Sequence, residues 1–372
     1  MSEVYDMSGD PQGSPTEPVR SASAERAGSS ACERGGQSST AASGSRAVIS
    51  EDDWDQVVHL IRQADEVALA CHVLPDGDAL GSMLALGLVL ERMGKRVVAS
   101  FGDHRFTVPR LLRFLPAQRL LSPPADFPAA PELMITLDSS TLERLGLLAA
   151  NAGAAREVVV IDHHPTNAGF GTRALIDPTA AGTVVLVEEL IHRLGETVTI
   201  DVATCLYVGL VTDTGSFRYS STTAATHEMA ARLVATGLPV ADISRALWDR
   251  APFAYQAVLA AALGRAVLER EGHGLVWTYV TKADRAAQAL PYEEIEGVID
   301  IVRRADEAEV AVVLKEDDDG AWQVSTRSRG AVDVAAICSA LGGGGHASAA
   351  GFTSHEPVDV TMARFRDLLR KS

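Results

Sequence analysis

Val158-Val159-Val160-Ile161-Asp162-His163-His164-Pro165 is the stretch on which the fold turns. Three Val and an Ile in succession make a short, unbroken apolar run, the pattern of a strand buried on both faces. Strands of that kind belong to parallel sheets covered by helices, whose ligands gather at the carboxyl ends of the strands. This one ends in an acid and two adjacent imidazoles. Two consecutive histidines are oddly crowded as core residues. One can ligate a metal while its neighbour, pointing elsewhere, contacts substrate, and Asp162 can fix a tautomer from behind.

Working outward, the same pattern recurs. Residues 66–71, 96–101 and 133–137 are further short apolar runs of buried-strand type, as is 157–161 itself. Between them, Ser50 to Asp53 reads as a capping box that opens a helix through Ala64, with Trp54, Val57, Val58 and Ile61 on its apolar face. Residues 79–93 read as an apolar helix closed by Gly94, and residues 142–150 as another helix. Residues 180–262 are mostly helical, with Asp201 and Thr222 or Thr223 as N-caps. A second alternation follows: a strand at 275–280, a helix near 293–303, and a hairpin of 308–314 and 321–326 turning at Asp317-Asp318-Asp319-Gly320. The three carboxylates of that turn read as a solvated tip rather than a metal site. The expected fold is α/β: a parallel-sheet domain over 49–236, a helical linker over 237–262, and a smaller α/β domain over 263–372. Residues 1–48 hold 17 Ser or Gly and almost no large apolar side chains, so a disordered tail is expected there.

Charge narrows the function. Over 372 residues, 33 Lys and Arg stand against 49 Asp and Glu, a net charge of -16. Proteins that coat long nucleic acid need basic surfaces that displace counterions, so the charge argues against that class, while a small anionic substrate held by a few cations is compatible with it. Cys32, Cys71, Cys205 and Cys338 lie far apart with no paired spacing, which argues against a disulfide scaffold or structural zinc module and fits a reducing cytoplasm. No apolar run approaches the ~18 residues of a membrane helix, and the first residues have neither the basic start nor the apolar stretch of an export signal, so neither membrane insertion nor export is expected.

Four clusters carry chemistry. His72-Val73-Leu74-Pro75-Asp76-Gly77-Asp78 follows a predicted strand and precedes a helix; an imidazole and two carboxylates so spaced can converge on divalent cations, or one acid can simply cap the helix. Asp138 ends the run Leu133-Met134-Ile135-Thr136-Leu137. Asp162, His163 and His164 form the third cluster, and Asp213, in Gly209-Leu210-Val211-Thr212-Asp213, the fourth. Four acid or His clusters, each at the end of an apolar element, point to one site. A different signal is Gly342-Gly343-Gly344-Gly345-His346, where missing side chains let backbone N–H groups approach an anion. It has neither the Walker nor the dinucleotide spacing. Together with Arg327-Ser328-Arg329 it reads as a phosphate contact, with Arg144 and Arg218 as weaker candidates.

These motifs resemble the DHH phosphoesterase superfamily, named after its Asp-His-His. His72-x-x-x-Asp76-x-Asp78, Asp138, Asp162-His163-His164 and Asp213 match its four motifs in order, and residues 342–352 with Arg327-Ser328 resemble its associated C-terminal substrate-binding domain. The layout is similar to the nano-RNase and 3'-phosphoadenosine 5'-phosphate phosphatase group and covers about residues 50–370. The resemblance implies one metal on His72, Asp76 and Asp138, and a second on Asp78, Asp138, His163 and Asp213, with Asp138 bridging. It implies Mn²⁺ as the usual cation, with Mg²⁺ or Co²⁺ as substitutes, and His164 facing the scissile phosphate.

The expected activity is two-metal hydrolysis of short oligonucleotides, of 3'-phosphoadenosine 5'-phosphate, or of linear or cyclic diadenylate, with His164 and Asp138 catalytic. Arg327, Ser328, Gly342 to Gly345 and His346 would hold the far end of the substrate. A homodimer acting in the cytoplasm is expected. The rivals are a RecJ-like single-strand exonuclease, which should carry an added domain with basic and aromatic stripes, a pyrophosphatase lacking the glycine loop, and a catalytically silent nucleotide sensor.

Overall fold

A computed structural model describes residues 49–167 and 169–372 of the chain; the tail expected over 1–48 lies outside the described residues. Helix α1 (Glu51–Gln63) opens on the capping box, with Ser50 and Asp53 exchanging side-chain and backbone hydrogen bonds, and buries Trp54, Val57, Val58 and Ile61. Strand β1 (Glu66–Cys71), helix α2 (Gly77–Arg92), β2 (Arg96–Phe101), β3 (Leu133–Leu137), α3 (Ala149–Ala154), β4 (Glu157–Asp162) and β5 (Arg173–Ile176) follow. The five strands form one parallel sheet in the order β2-β1-β3-β4-β5. The order reverses between β1 and β3. In doubly wound sheets that crevice is where ligands bind.

Helices α4 (Thr183–Leu194), α5 (Ile200–Asp213), α6 (Ala224–Val234), α7 (Val240–Trp248) and α8 (Phe253–Gly264) come next. The second sheet comprises β6 (Val267–Glu269), β7 (Leu275–Val280), β8 (Val310–Glu316), β9 (Trp322–Ser328), β10 (Gly344–His346) and β11 (Ala349–Ser354), with α9 (Lys282–Ala287), α10 (Val298–Val302), α11 (Val334–Ala340) and α12 (Val358–Leu369). Its order is β10-β11-β9-β8-β7-β6, and β7 and β8 pair in parallel while the other pairs are antiparallel. Alternate residues of β8 serve two cores: Val310, Val312 and Leu314 pack with Phe352 and Phe365, whereas Ala311 and Val313 pack with Ile295 and Val302. Period-2 alternation makes a strand fill both faces. Within 237–262, Ile243 and Leu247 of α7 join the core of the first sheet, and Val258 and Ala262 of α8 join the second.

The structure departs from expectation in several places. Thr199, not Asp201, caps α5, because its hydroxyl accepts from the Val202 N–H. The helix expected over 142–150 is a 3₁₀ stretch, Leu142–Leu148, that breaks at Gly146 before α3. The helix expected near 293–303 divides into a 3₁₀ turn, Tyr292–Ile295, and α10. Strands β5, β6, β10 and β11 were not expected. β5, β6 and β10 have four residues or fewer, too short for an apolar period to register.

Candidate active site

The switch-point crevice receives His72 from the end of β1 and Asp138 from the end of β3, and their Nε2 and Oδ2 atoms lie 3.4 Å apart. Asp138 is buried and takes a left-handed backbone, φ +57°, unusual for a residue with a side chain. Asp76 does two things at once. Its Oδ1 caps α2 by accepting from the N–H groups of Asp78 and Ala79, both at 3.0 Å, and lies 3.8 Å from His72 Nε2. The capping and ligand readings of this acid are therefore compatible.

Asp78 is held by a helix 105 residues away. At the start of α4, the Thr183 N–H reaches its Oδ2 at 2.6 Å and the Val184 N–H its Oδ1 at 3.0 Å, so free N-terminal amides of a helix meet a carboxylate. The Thr183 hydroxyl donates to Asp138 Oδ1 at 2.9 Å. Between these acids lies His163. Its Nδ1 donates to the Ala180 carbonyl at 3.2 Å, which turns Nε2 toward Asp138 at 3.6 Å, Asp78 at 3.7 Å and Asp213 at 3.6 Å. That Nε2 is buried and has no hydrogen-bond partner among the described residues.

A lone pair facing three carboxylate oxygens in a buried site is satisfied by a cation. Two donor groups fit one each: His72, Asp76 and Asp138, and Asp78, Asp138 and His163, every ligand atom of a group lying within 4.8 Å of the others. Asp138 belongs to both. Mixed oxygen and imidazole donors suit divalent cations of the Mn²⁺ and Zn²⁺ type. The electrostatics agree. Burial and the neighbouring Asp138 push Asp78 up to about 7, and burial with Asp78 and Asp138 pushes Asp213 well above the usual carboxylate range. Burial disfavours charge on His72, yet Asp138 and Asp76 overcome it and raise the ring to about 10. The cluster draws positive charge inward.

His164 is oriented differently. Its Nδ1 meets Asp162 Oδ1 at 2.8 Å, and the same oxygen accepts from the His163 N–H at 2.9 Å. Asn167, five residues on, donates through Nδ2 to Asp162 Oδ2 at 2.7 Å and to the Ser139 carbonyl at 3.0 Å, joining the β4 loop to the β3 loop. Burial opposes a charge on His164, but the Asp162 hydrogen bond and Asp138 outweigh it and raise its pKa. His346 arrives from the other sheet: its ring stacks on His164 at 4.6 Å between centroids and 21° between planes, and lies 5.1 Å from that of His163. Burial, then His164 and His163, push His346 down to about 4.

The remaining sequence candidates differ in their placement. The glycine run is not an open loop, since Gly344 to His346 form β10 against β11. A Cβ at Gly343 would lie 2.0 Å from the Gly351 carbonyl oxygen, so that position needs glycine for strand approach. Ser328 is buried, with its hydroxyl donating to Glu309 at 2.9 Å. Arg327 and Ser328 line a cavity of about 210 Å³ with Arg303, Glu309 and Arg329. Arg144 places Nη2 3.2 Å from His72 Nδ1, while Arg218 turns back to the Gly215 carbonyl. Sequence reading missed Thr183 and Asn167. Gly-Thr at a helix start and an Asn just past the double histidine were the available signals.

The DHH family, N-terminal domain, matches residues 66–210, and the DHHA1 domain matches residues 279–371. The bifunctional oligoribonuclease and PAP phosphatase NrnA of Thermus thermophilus is 35% identical over 291 residues, 77% of this chain and 83% of that protein. The cyclic-di-AMP phosphodiesterase GdpP of Geobacillus thermodenitrificans is 28% identical over 337 residues, 84% of this chain and 48% of that one. An exopolyphosphatase-related protein from Bacteroides fragilis has the same fold, with a TM-score of 0.78 at 22% identity, covering 87% of this chain and 96% of the other. With both domains matched in order, and a relative at this identity spanned over most of its length, the chain belongs to the DHH family of phosphoesterases.

Proposed function

We propose that this phosphoesterase hydrolyses very short oligonucleotides to mononucleotides and removes the 3'-phosphate of 3'-phosphoadenosine 5'-phosphate to give AMP, with two Mn²⁺ ions per site. Linear diadenylate and cyclic di-AMP belong to the same substrate class. The observation that carries the reading is the Asp138 carboxylate, shared by two donor groups and lying 3.6 Å from His164 Nδ1. The printed activities of the Thermus relative, an oligoribonuclease and a PAP phosphatase, support the choice of substrates.

In this reading His72, Asp76 and Asp138 hold one cation, and Asp78, Asp138, His163 and Asp213 the other. Bound there, the pair supplies Lewis-acid neutralisation of phosphoryl charge and an acidified water at neutral pH. The chain does the rest. Ala180 and Val73 carbonyls accept from the Nδ1 atoms of His163 and His72, leaving each Nε2 as the ligand atom. Thr183 and Val184 keep Asp78 and Asp138 from rotating. Asp162 holds His164 with Nδ1 protonated, so Nε2 is the atom that gives a proton to the leaving oxygen. His346, held neutral, covers that ring and limits water access from the second domain.

The three described cysteines are free and buried, in keeping with a reducing cytoplasm, and no helix among the described residues is long and apolar enough to cross a membrane. A homodimer belongs to the same proposal, and sedimentation of the purified chain tests it. The deciding experiment is a substrate panel with added Mn²⁺: 3'-phosphoadenosine 5'-phosphate, a dinucleotide, a pentanucleotide, a 20-mer, pyrophosphate and cyclic di-AMP. The highest kcat/KM is expected on the shortest organic substrates. An optimum on the 20-mer makes the protein a strand exonuclease, one on pyrophosphate a pyrophosphatase, and binding without turnover a sensor.

A further inference from the structure

The turn between His72 and Asp76 contains a strained residue. Leu74 takes φ +54°, the left-handed region that penalises a side chain. Burial does not hold it there, since Leu74 is 69% exposed. Strain of this kind persists only where the surroundings impose it, and it clusters at functional sites. Here the backbone is what is gripped: the Leu74 N–H donates to Asp103 Oδ2 at 2.9 Å. Asp103 lies two residues beyond β2, the strand paired with β1.

The peptide that joins Val73 to Leu74 is thereby held on both edges. A peptide unit is planar, so fixing its N–H fixes the direction of the C=O on the opposite edge. That C=O belongs to Val73, and it accepts from His72 Nδ1 at 2.8 Å. The bond keeps the ring proton on Nδ1 and leaves the lone pair on Nε2, which lies 3.4 Å from Asp138 and 3.8 Å from Asp76. Arg144 Nη2 lies farther from Nδ1, at 3.2 Å, and a guanidinium has no lone pair to take the ring proton, so the carbonyl selects the tautomer. The preceding peptide is tied as well, because the Val73 N–H donates to the Arg144 carbonyl at 2.8 Å. That loop packs on the turn at Gly146, φ +55°, where a Cβ would lie 2.4 Å from Val73 Cγ1.

We infer that Asp103 is a positioning residue for the cation of the His72, Asp76 and Asp138 group, acting through the Val73–Leu74 peptide. It belongs to neither donor group. It holds the peptide whose carbonyl aims the His72 ring. Imidazole ligands are oriented by a carboxylate or a carbonyl at the other ring nitrogen, and that support tunes metal affinity. Here a carboxylate and a carbonyl act in series, and hydrogen bonds in series polarise one another, so the charge on Asp103 also strengthens Nε2 as a donor to metal. The strain at Leu74 accompanies that alignment. The inference rests on the two-cation reading of the proposed function and adds to it a residue outside the ligand set.

The test titrates the full chain with Mn²⁺ in the absence of substrate and reads free Mn²⁺ by electron paramagnetic resonance. Wild type should bind two equivalents. Asp103→Ala should weaken one of them by roughly ten- to a hundredfold, the cost of removing an outer partner of a metal ligand, and leave the other in place. Asp103→Asn keeps an oxygen that accepts from the Leu74 N–H and should regain most of the lost affinity. Leu74→Gly in the Asp103→Ala background should regain part of it, because glycine enters positive φ without strain, a rescue that a packing role for Asp103 would not show. Asp103→Glu retains the charge but displaces the acceptor by a methylene and should weaken the same equivalent, which keeps the test decisive if Asp103→Ala fails to fold. Wild-type affinity for both equivalents in Asp103→Ala or Asp103→Glu overturns the inference, as does a loss that neither Asp103→Asn nor Leu74→Gly restores. A wild type that binds fewer than two equivalents overturns the two-cation reading instead, and the two failures are thereby distinguishable.

Discussion

His164 and His346 stack face to face, 4.6 Å apart and 21° from parallel, although 182 positions separate them in the chain and each domain contributes one. The ring held by Asp162 is thus roofed by a neutral ring from the second domain. In the proposed function, chemistry and substrate selection meet at that contact, and the consequences can be measured.

Asp138→Ala should be the most damaging single change among the candidate ligands, because Asp138 belongs to both donor groups. Loss of a supporting contact around a metal typically costs 10–100-fold, and loss of a shared ligand should cost more, roughly a hundredfold or beyond in kcat. Bound metal measured by atomic spectrometry should fall from two equivalents per chain. Stoichiometric metal with near wild-type turnover would sink the assignment.

Asn167→Ala should lower kcat by roughly ten- to a hundredfold with little change in KM, since the amide steadies Asp162 and, through it, His164. If His164 supplies the leaving-group proton, the loss should be larger for a dinucleotide than for bis(p-nitrophenyl) phosphate, whose leaving group needs no proton. An equal loss on both substrates would show that Asn167 supports the fold or the metals rather than the acid.

Gly343→Ala should destabilise the second domain by about 1–3 kcal/mol, the usual cost of overpacking, because its new methyl would meet the Gly351 carbonyl at 2.0 Å. Displacing β10 also moves His346 off His164. Thermal denaturation should show the lower Tm, and turnover assays at a temperature where the variant is folded should show the loss of short-substrate preference.

Chelation followed by Mn²⁺ titration should raise Tm in a concentration-dependent way, since a ligand that binds only the folded state stabilises it by RT ln(1 + [L]/Kd). Crowding of Asp78, Asp138 and Asp213 around His163 makes the metal-free site repulsive, so the effect should be large. A Tm indifferent to Mn²⁺ would argue that these acids serve another purpose.

Acid stability should depend on Asp284 in α9. The Arg265 guanidinium, doubly hydrogen-bonded to it, and the Thr281 cap hold its carboxyl well below the usual range. A carboxyl depressed in the folded state contributes stability above its unfolded pKa of about 3.9, and that contribution is lost as pH falls toward the folded value. The Tm difference between wild type and Asp284→Asn should therefore be full near neutral pH and should shrink as the pH drops below about 4. A difference constant with pH would show that charge plays no part.

The chain by itself determined that the acid and histidine clusters would gather at one sheet edge. Buried-strand runs ending at His72, Asp138 and His163 announce a parallel sheet whose polar termini share one edge, because short apolar runs and helix periods are local properties. The same locality explains the misses. Asp201 and Thr199 compete as caps through a single hydrogen bond, and β10 hides in glycines that carry no hydropathy signal. What only the tertiary structure decided is how those groups are held. Thr183 grips Asp78 from 105 residues away, Ala180 aims the ring of His163, and Tyr219 braces Arg303 across 84. No pattern in the chain encodes such pairs. They exist because sheet order places β1 beside β3, brings the N-terminus of α4 over both, and lays the second sheet's edge strand on the site.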